Sequence, residues 1–202
     1  MSTDHYRSAK ARLYFYTAMN KYLFLLVTTT VLAFSTSAQT KSNDAISKQI
    51  KALRSEKTFT LNYDQNSNVS KLMAVTDNFA DAGKIGVQAM NLAIGFMYSG
   101  RELIKAPDNV LLSFWVLTKK PRFAVNHNLL LLNANVDLGP ARYISRVRDN
   151  MEYLNFEISI ENLEKIANEP NGRIQLGEAE LTLTRSQLKA ISDMLVLCDP
   201  KR

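Results

Sequence analysis

The chain has 202 residues, 46% of them hydrophobic, with 25 lysines and arginines against 19 acids, a formal charge of +6, two histidines and one cysteine. A single cysteine excludes an intrachain disulfide framework, and no His/Cys spacing suits a zinc site. The excess of base is too small and too dispersed for a nucleic-acid binder.

The chain opens with the three regions of an export signal, in order. Arg7, Lys10, Arg12 and Lys21 make a positive segment in which Asp4 is the only acid. An apolar run from Tyr22 to Phe34 follows, and Ser35-Thr36-Ser37-Ala38 closes it with small side chains. Thr36 and Ala38 then occupy the −3 and −1 positions of a cleavage site between Ala38 and Gln39. The rival expectation is a retained membrane anchor. The apolar run is shorter than the roughly 20 residues a spanning helix needs, and Thr28-Thr29-Thr30 interrupts it. Met19-Asn20-Lys21 forms a compact signal start by itself, so residues 1–18 read as an N-terminal extension. The leader resembles those of bacterial exported proteins, although a eukaryotic secretory signal obeys the same physics.

Residues 39–202 then form one domain, long enough to bury a core without staples. The leader holds four of the 25 basic residues and one of the 19 acids, which leaves 21 against 18 and a net +3. Much of the basic character therefore belongs to the leader.

In chain order, Ile46, Ile50 and Leu53 share one face of a short helix over Asp44–Arg54, capped by Asn43 or Asp44. Thr58–Tyr63 alternates as a half-buried strand. A turn at Asp64–Asn68 joins it to a second strand, Val69–Val75. Asp77–Gly100 fits both periods. Met90, Leu92, Ile94, Phe96 and Tyr98 alternate as in a strand, and Gly95 weakens the helical option, so a strand is expected. Val110–Thr118 reads as a central strand buried on both faces. Leu129–Leu132 and Val136–Leu138 flank a turn at Asn133–Asn135. Tyr143–Arg148 and Met151–Ser159 complete this set, with Leu154, Phe156 and Ile158 on one face of the latter.

Ser159 caps a helix that runs to about Asn168, and Pro170-Asn171-Gly172 turns the chain. Short strands follow at Arg173–Leu176 and Ala179–Thr184. Thr184 and Gln187 make a capping box for a last helix that buries Leu188, Ile191 and Leu195 and ends at Asp199-Pro200. Eight to ten short strands with two or three short helices, and no βαβ rhythm, predict a mainly β (α+β) fold. The expected form is an antiparallel β-sandwich or bent sheet with the helices packed at its ends.

Catalytic candidates are few. His127 is the only histidine outside the leader, so a histidine-dependent hydrolase would have to use it. No Gly-x-Ser-x-Gly elbow accompanies it, and a loop histidine in Asn126-His127-Asn128 reads first as a turn residue. No catalytic residue, cofactor site or metal site is assigned. Cys198 reads as a small buried hydrophobe, with an intermolecular disulfide as the functional alternative. Glu161 with Glu164, and Glu178 with Glu180, read as solvated surface. Asn68-Val69-Ser70 fits a glycosylation acceptor in a eukaryotic host.

One constellation stands out. Lys119, Lys120 and Arg122 form one basic cluster, and Arg142, Arg146 and Arg148 form another. If Ala141–Arg148 is a strand, its even positions put all three arginines on one face with Ile144, while Tyr143 and Val147 point inward. Guanidinium forks suit carboxylate, sulfate or phosphate, so the candidate is an anion-binding patch for an envelope or extracellular ligand. The competing account is a solvated strand face paired with Asp149, Glu152 or Glu157. The expectation is an exported (periplasmic or extracellular), non-enzymatic binding or envelope-associated module with no nucleic-acid partner. Once its signal is cleaved it has no stable membrane span. The alternative is a secreted hydrolase built around His127.

Overall fold

The computed structural model describes residues 44–54 and 58–199. The leader, the Ala38/Gln39 cleavage point, the Asn43 cap and Pro200 lie outside the described residues. Within them the fold is mainly antiparallel β with three α-helices, as the sequence predicts. The elements are α1 (Asp44–Ala52), β1 (Phe59–Asp64), β2 (Val69–Asn78), β3 (Ala89–Ser99), β4 (Asn109–Leu117), β5 (Asn128–Leu131), β6 (Val136–Pro140), β7 (Arg142–Arg146), β8 (Met151–Ser159), α2 (Ile160–Ala167), β9 (Arg173–Leu176), β10 (Ala179–Thr182) and α3 (Arg185–Leu197).

Two sheets result. One has six strands in the order β1-β2-β3-β4-β8-β7, and the other has four in the order β10-β9-β5-β6. The chain leaves the first sheet after β4, builds the β5–β6 hairpin in the second, and returns as the β7–β8 hairpin beside β4. Period-two alternation decides which face closes. Leu72 and Ala74 of β2, Leu92 and Ile94 of β3, Leu112 and Phe114 of β4, and Leu154 and Phe156 of β8 are at most 3% exposed. They join Leu129 and Leu131 of β5, Ile174 and Leu176 of β9, and Ile191 and Met194 of α3 in one core.

The strand reading of Met90–Tyr98 holds. The strand pairing requires glycine at position 95: a Cβ there would lie 2.4 Å from the carbonyl oxygen of Leu72 on β2. Only glycine lets β2 and β3 approach so closely. Both helix caps also hold. The Ser159 side chain accepts from the Asn162 amide at 3.2 Å, and Thr184 and Gln187 form the reciprocal box. Gln187 is fully buried, and its Nε2 also donates to the carbonyl of Asp77 at the end of β2, 3.1 Å away. The cap thus ties α3 to the sheet.

Three expectations need correction. Strand β4 is central but unevenly buried on its odd face: Leu111 is 41% exposed and Trp115 is half-buried, while Ser113 between them is 3% exposed beneath its hydrogen-bond partners Trp115 and Asn155. In α3 the buried stripe runs through Ala190, Ile191, Met194 and Leu197, leaving Leu188 and Leu195 half-buried. The docking angle of the helix selects the stripe. The third correction is β7, which ends at Arg146. Val147–Asp149 is a 3-10 turn closed by Asn150 in the left-handed region, φ 55°, a conformation asparagine tolerates. Val147 consequently points outward and is 77% exposed, not inward.

Candidate anion-binding edge

Strand β7 is an edge of the six-stranded sheet, paired to β8 from Arg142 opposite Asn155 to Arg146 opposite Met151. Its even positions, Arg142, Ile144 and Arg146, share the outer face, and Tyr143 faces inward opposite Leu154. The Arg146 guanidinium carbon lies 5.6 Å from the ring centroid of Tyr153, a cation–π contact. Tyr153 in turn meets Trp115 edge to face, with centroids 6.2 Å apart.

The loop after β4 is held against this edge by a buried carboxylate. Glu152 is 1% exposed and accepts three hydrogen bonds: from the amides of Arg122 at 2.9 Å and Phe123 at 3.1 Å, and from the Tyr143 hydroxyl at 2.7 Å. A second tie is the Thr118 amide, which donates to the carbonyl of Asn150 at 2.8 Å. Burial, and then the hydrogen bond to Glu152, push the Tyr143 phenol above its ordinary pKa, so it stays a neutral donor. Glu152 was not among the sequence candidates, except as a partner for the arginines. Its parity with Leu154 and Phe156 in β8 is the sequence signal that marks it as an inward acid.

These ties bring the two basic clusters together in part. Lys119 and Arg146 line one shallow cleft with Thr118, Ser145, Asn150 and the inward-turned Glu152. Arg142 lies on the same face of the same strand as Arg146. Neither Arg142 nor Arg146 makes an ion pair with a described residue. The expected pairing with Glu152 fails because that carboxylate is turned inward and occupied. Arg122 departs from the patch: its Nε donates to the carbonyl of Ile85 at 3.3 Å, and Nη1 lies 4.0 Å from Glu178. Lys120 is exposed on the loop, and its carbonyl accepts from the Thr118 hydroxyl at 2.6 Å. Arg148 is exposed in the 3-10 turn, off the strand face that was expected to hold it.

His127 stacks on the Tyr143 ring, with centroids 5.6 Å apart, and its Nδ1 lies 3.2 Å from the carbonyl of Phe123. A carbonyl only accepts, so this contact takes the Nδ1–H tautomer. No hydroxyl or thiol nucleophile is among its hydrogen-bond partners. Cys198 caps α3 from inside the core at 2% exposure, and burial pushes its thiol up to about 12. Glu161 pairs with Lys165 at 2.9 Å and Glu180 with Arg173, both at the surface. Asn68 sits in the β1–β2 turn at φ 52° and accepts from the Tyr63 hydroxyl at 2.8 Å.

Among the described residues there is no cluster of three metal-ligating side chains, and no helix long and apolar enough to cross a membrane. No protein-family model, curated protein or solved structure matches this chain.

Proposed function

We propose that this chain is an exported, non-enzymatic binding module that takes an anionic envelope or extracellular ligand on the β7 edge. The observation that carries this reading is the convergence of Lys119 and Arg146 on one cleft, with Arg142 beside them and no described carboxylate neutralising any of the three. Glu152 also lines the cleft, but its carboxylate is taken up by the Arg122 and Phe123 amides and the Tyr143 hydroxyl, so positive groups without an ion pair remain to meet carboxylate, sulfate or phosphate. The leader supplies the compartment in this reading. For the hydrolase alternative, the geometry gives His127 an Nδ1 contact to the Phe123 carbonyl and a ring face stacked on Tyr143, with no hydroxyl or thiol among its hydrogen-bond partners.

The test is retention on an immobilised sulfated polyanion across a salt gradient. The Lys119→Ala/Arg146→Ala double variant should elute at clearly lower salt than the parent, while Lys120→Ala/Arg148→Ala should elute much closer to it. Equal elution of the first variant and the parent would remove the cleft from the account. Export is checked separately, by N-terminal sequencing of the protein from its host. A soluble product that begins at Gln39 is expected, and a membrane-bound product retaining Tyr22–Ala38 would overturn it.

A further inference from the structure

The outer face of the six-stranded sheet differs in chemistry from the sealed inner one. One cross-strand row on it runs Asn91, Trp115, Tyr153, Ile144 through β3, β4, β8 and β7. Three strand spacings make that row about 15 Å long. Trp115 and Tyr153 are half-buried and Ile144 is 39% exposed, so apolar surface is presented without a described element to cover it. Polar groups are set into this surface. The Trp115 indole donates to the Ser113 hydroxyl at 2.9 Å, and Ser113 donates to the Asn155 Oδ1 at 2.6 Å. Asn155 keeps its carboxamide nitrogen as a donor beside its cross-strand partner Arg142. At the head of the row, Asn91 is 8% exposed and its Oδ1 is a buried acceptor with no hydrogen-bond partner. Its Nδ2 donates to the carbonyl of Thr76 at 2.8 Å, so Asn91 closes the row as a buried amide.

We propose that this strip, with Arg142 and Arg146 along its margin, binds an acidic oligosaccharide of the uronate class. This rests on the anion-binding reading above and names its ligand. A pyranose ring has apolar C–H faces and a polar hydroxyl edge, which matches aromatic surface interleaved with amides and hydroxyls. Its carboxylate matches the two guanidinium groups on β7, neither of which is in an ion pair and one of which lies over the Tyr153 ring. A lipid surface would favour a wholly apolar face. An extended nucleic acid would call for more than the two arginines on this strip, and the exposed Glu157 farther along β8 confines the acidic groups of a short ligand to the β7 end. The charge is confined to one margin, so ring contacts carry affinity and the arginines select for acid.

Trp115 is the only tryptophan in the sequence, so its emission reports the strip directly. The purified protein is titrated with an oligogalacturonate, a neutral glucan oligomer of equal length, and inorganic polyphosphate. A saturable change in Trp115 emission with the uronate, and none with the glucan, is the expected result. Arg142→Ala/Arg146→Ala should weaken the uronate at least tenfold, and calorimetry should show a similar loss for Trp115→Ala but not for Trp115→Phe. An equal response to the neutral glucan overturns the assignment of an acidic ligand. Binding of polyphosphate but not uronate, unaffected by Trp115→Ala, overturns the sugar assignment and leaves the basic edge standing. No binding of either anion removes both readings.

Discussion

The two faces of the six-stranded sheet are built from alternate residues of the same strands, yet they do opposite things. On β4, Leu112 and Phe114 are at most 1% exposed, while Leu111 between its neighbours is 41% exposed and Trp115 is half-buried. The inner face carries almost no polar side chains apart from those with assigned partners, such as Glu152. The outer face mixes methionine, leucine and aromatic groups with Asn91, Ser113, Asn155 and two arginines. One face is organised for burial, and the other retains the mixture a surface needs to meet a partner. A shift of one residue in register would exchange them.

The sharpest way to break this contrast is to truncate neighbours on β4. Phe114→Ala should destabilise the domain by about 3–5 kcal/mol, whereas Leu111→Ala should cost about 1 kcal/mol or less, read from denaturant midpoints. Comparable losses at the two sites would mean that something covers the outer face as fully as the core covers the inner one.

Gly95 offers a smaller effect with a different origin. It belongs to the outer face, but its missing Cβ is required by the inner-face residue Leu72, whose carbonyl would be 2.4 Å away. Gly95→Ala should cost about 1–3 kcal/mol in unfolding free energy through strain between β2 and β3, without changing any side chain on the binding strip. An alanine variant as stable as the parent would show that the two strands can separate freely.

The least disturbing probe at neutral pH is Cys198. Burial raises its thiol from 9.0 to about 12 in the folded state. The neutral thiol is the form the core holds, so its contribution to stability is complete below pH 9 and is lost as pH rises from 9 towards 12. An alkylating reagent at pH 8 should leave the native protein unmodified and label it fully in denaturant. Rapid labelling of the native protein would place the thiol outside the sealed core and reopen an intermolecular disulfide.

Legibility along the chain followed how local the deciding interaction is. The caps at Ser159 and Thr184 were readable because partner and donor stand three residues apart. Glu152 was harder to assign. Its inward parity was visible, but its partners are the amides of Arg122 and Phe123, some thirty residues back, and no local pattern announces them. The basic patch was read half correctly. Arg142 and Arg146 share a face as alternation requires, but the turn at Asn150 removed Arg148, and Arg122 was drawn to Ile85 and Glu178 by a neighbouring loop. Trp115 and Tyr153 passed as strand residues because their pairing depends on β4 and β8 being neighbours, which chain order does not state.

By itself, then, the sequence determined the type of the elements, the alternation of the strands and the helix caps at Ser159 and Thr184, all of which are set by neighbours a few residues apart. Only the tertiary structure decided which face of β4 stays open, which two of six basic residues share a cleft, and which carboxylate anchors the loop beside them. Those outcomes depend on strands that are distant in the chain and adjacent in the sheet.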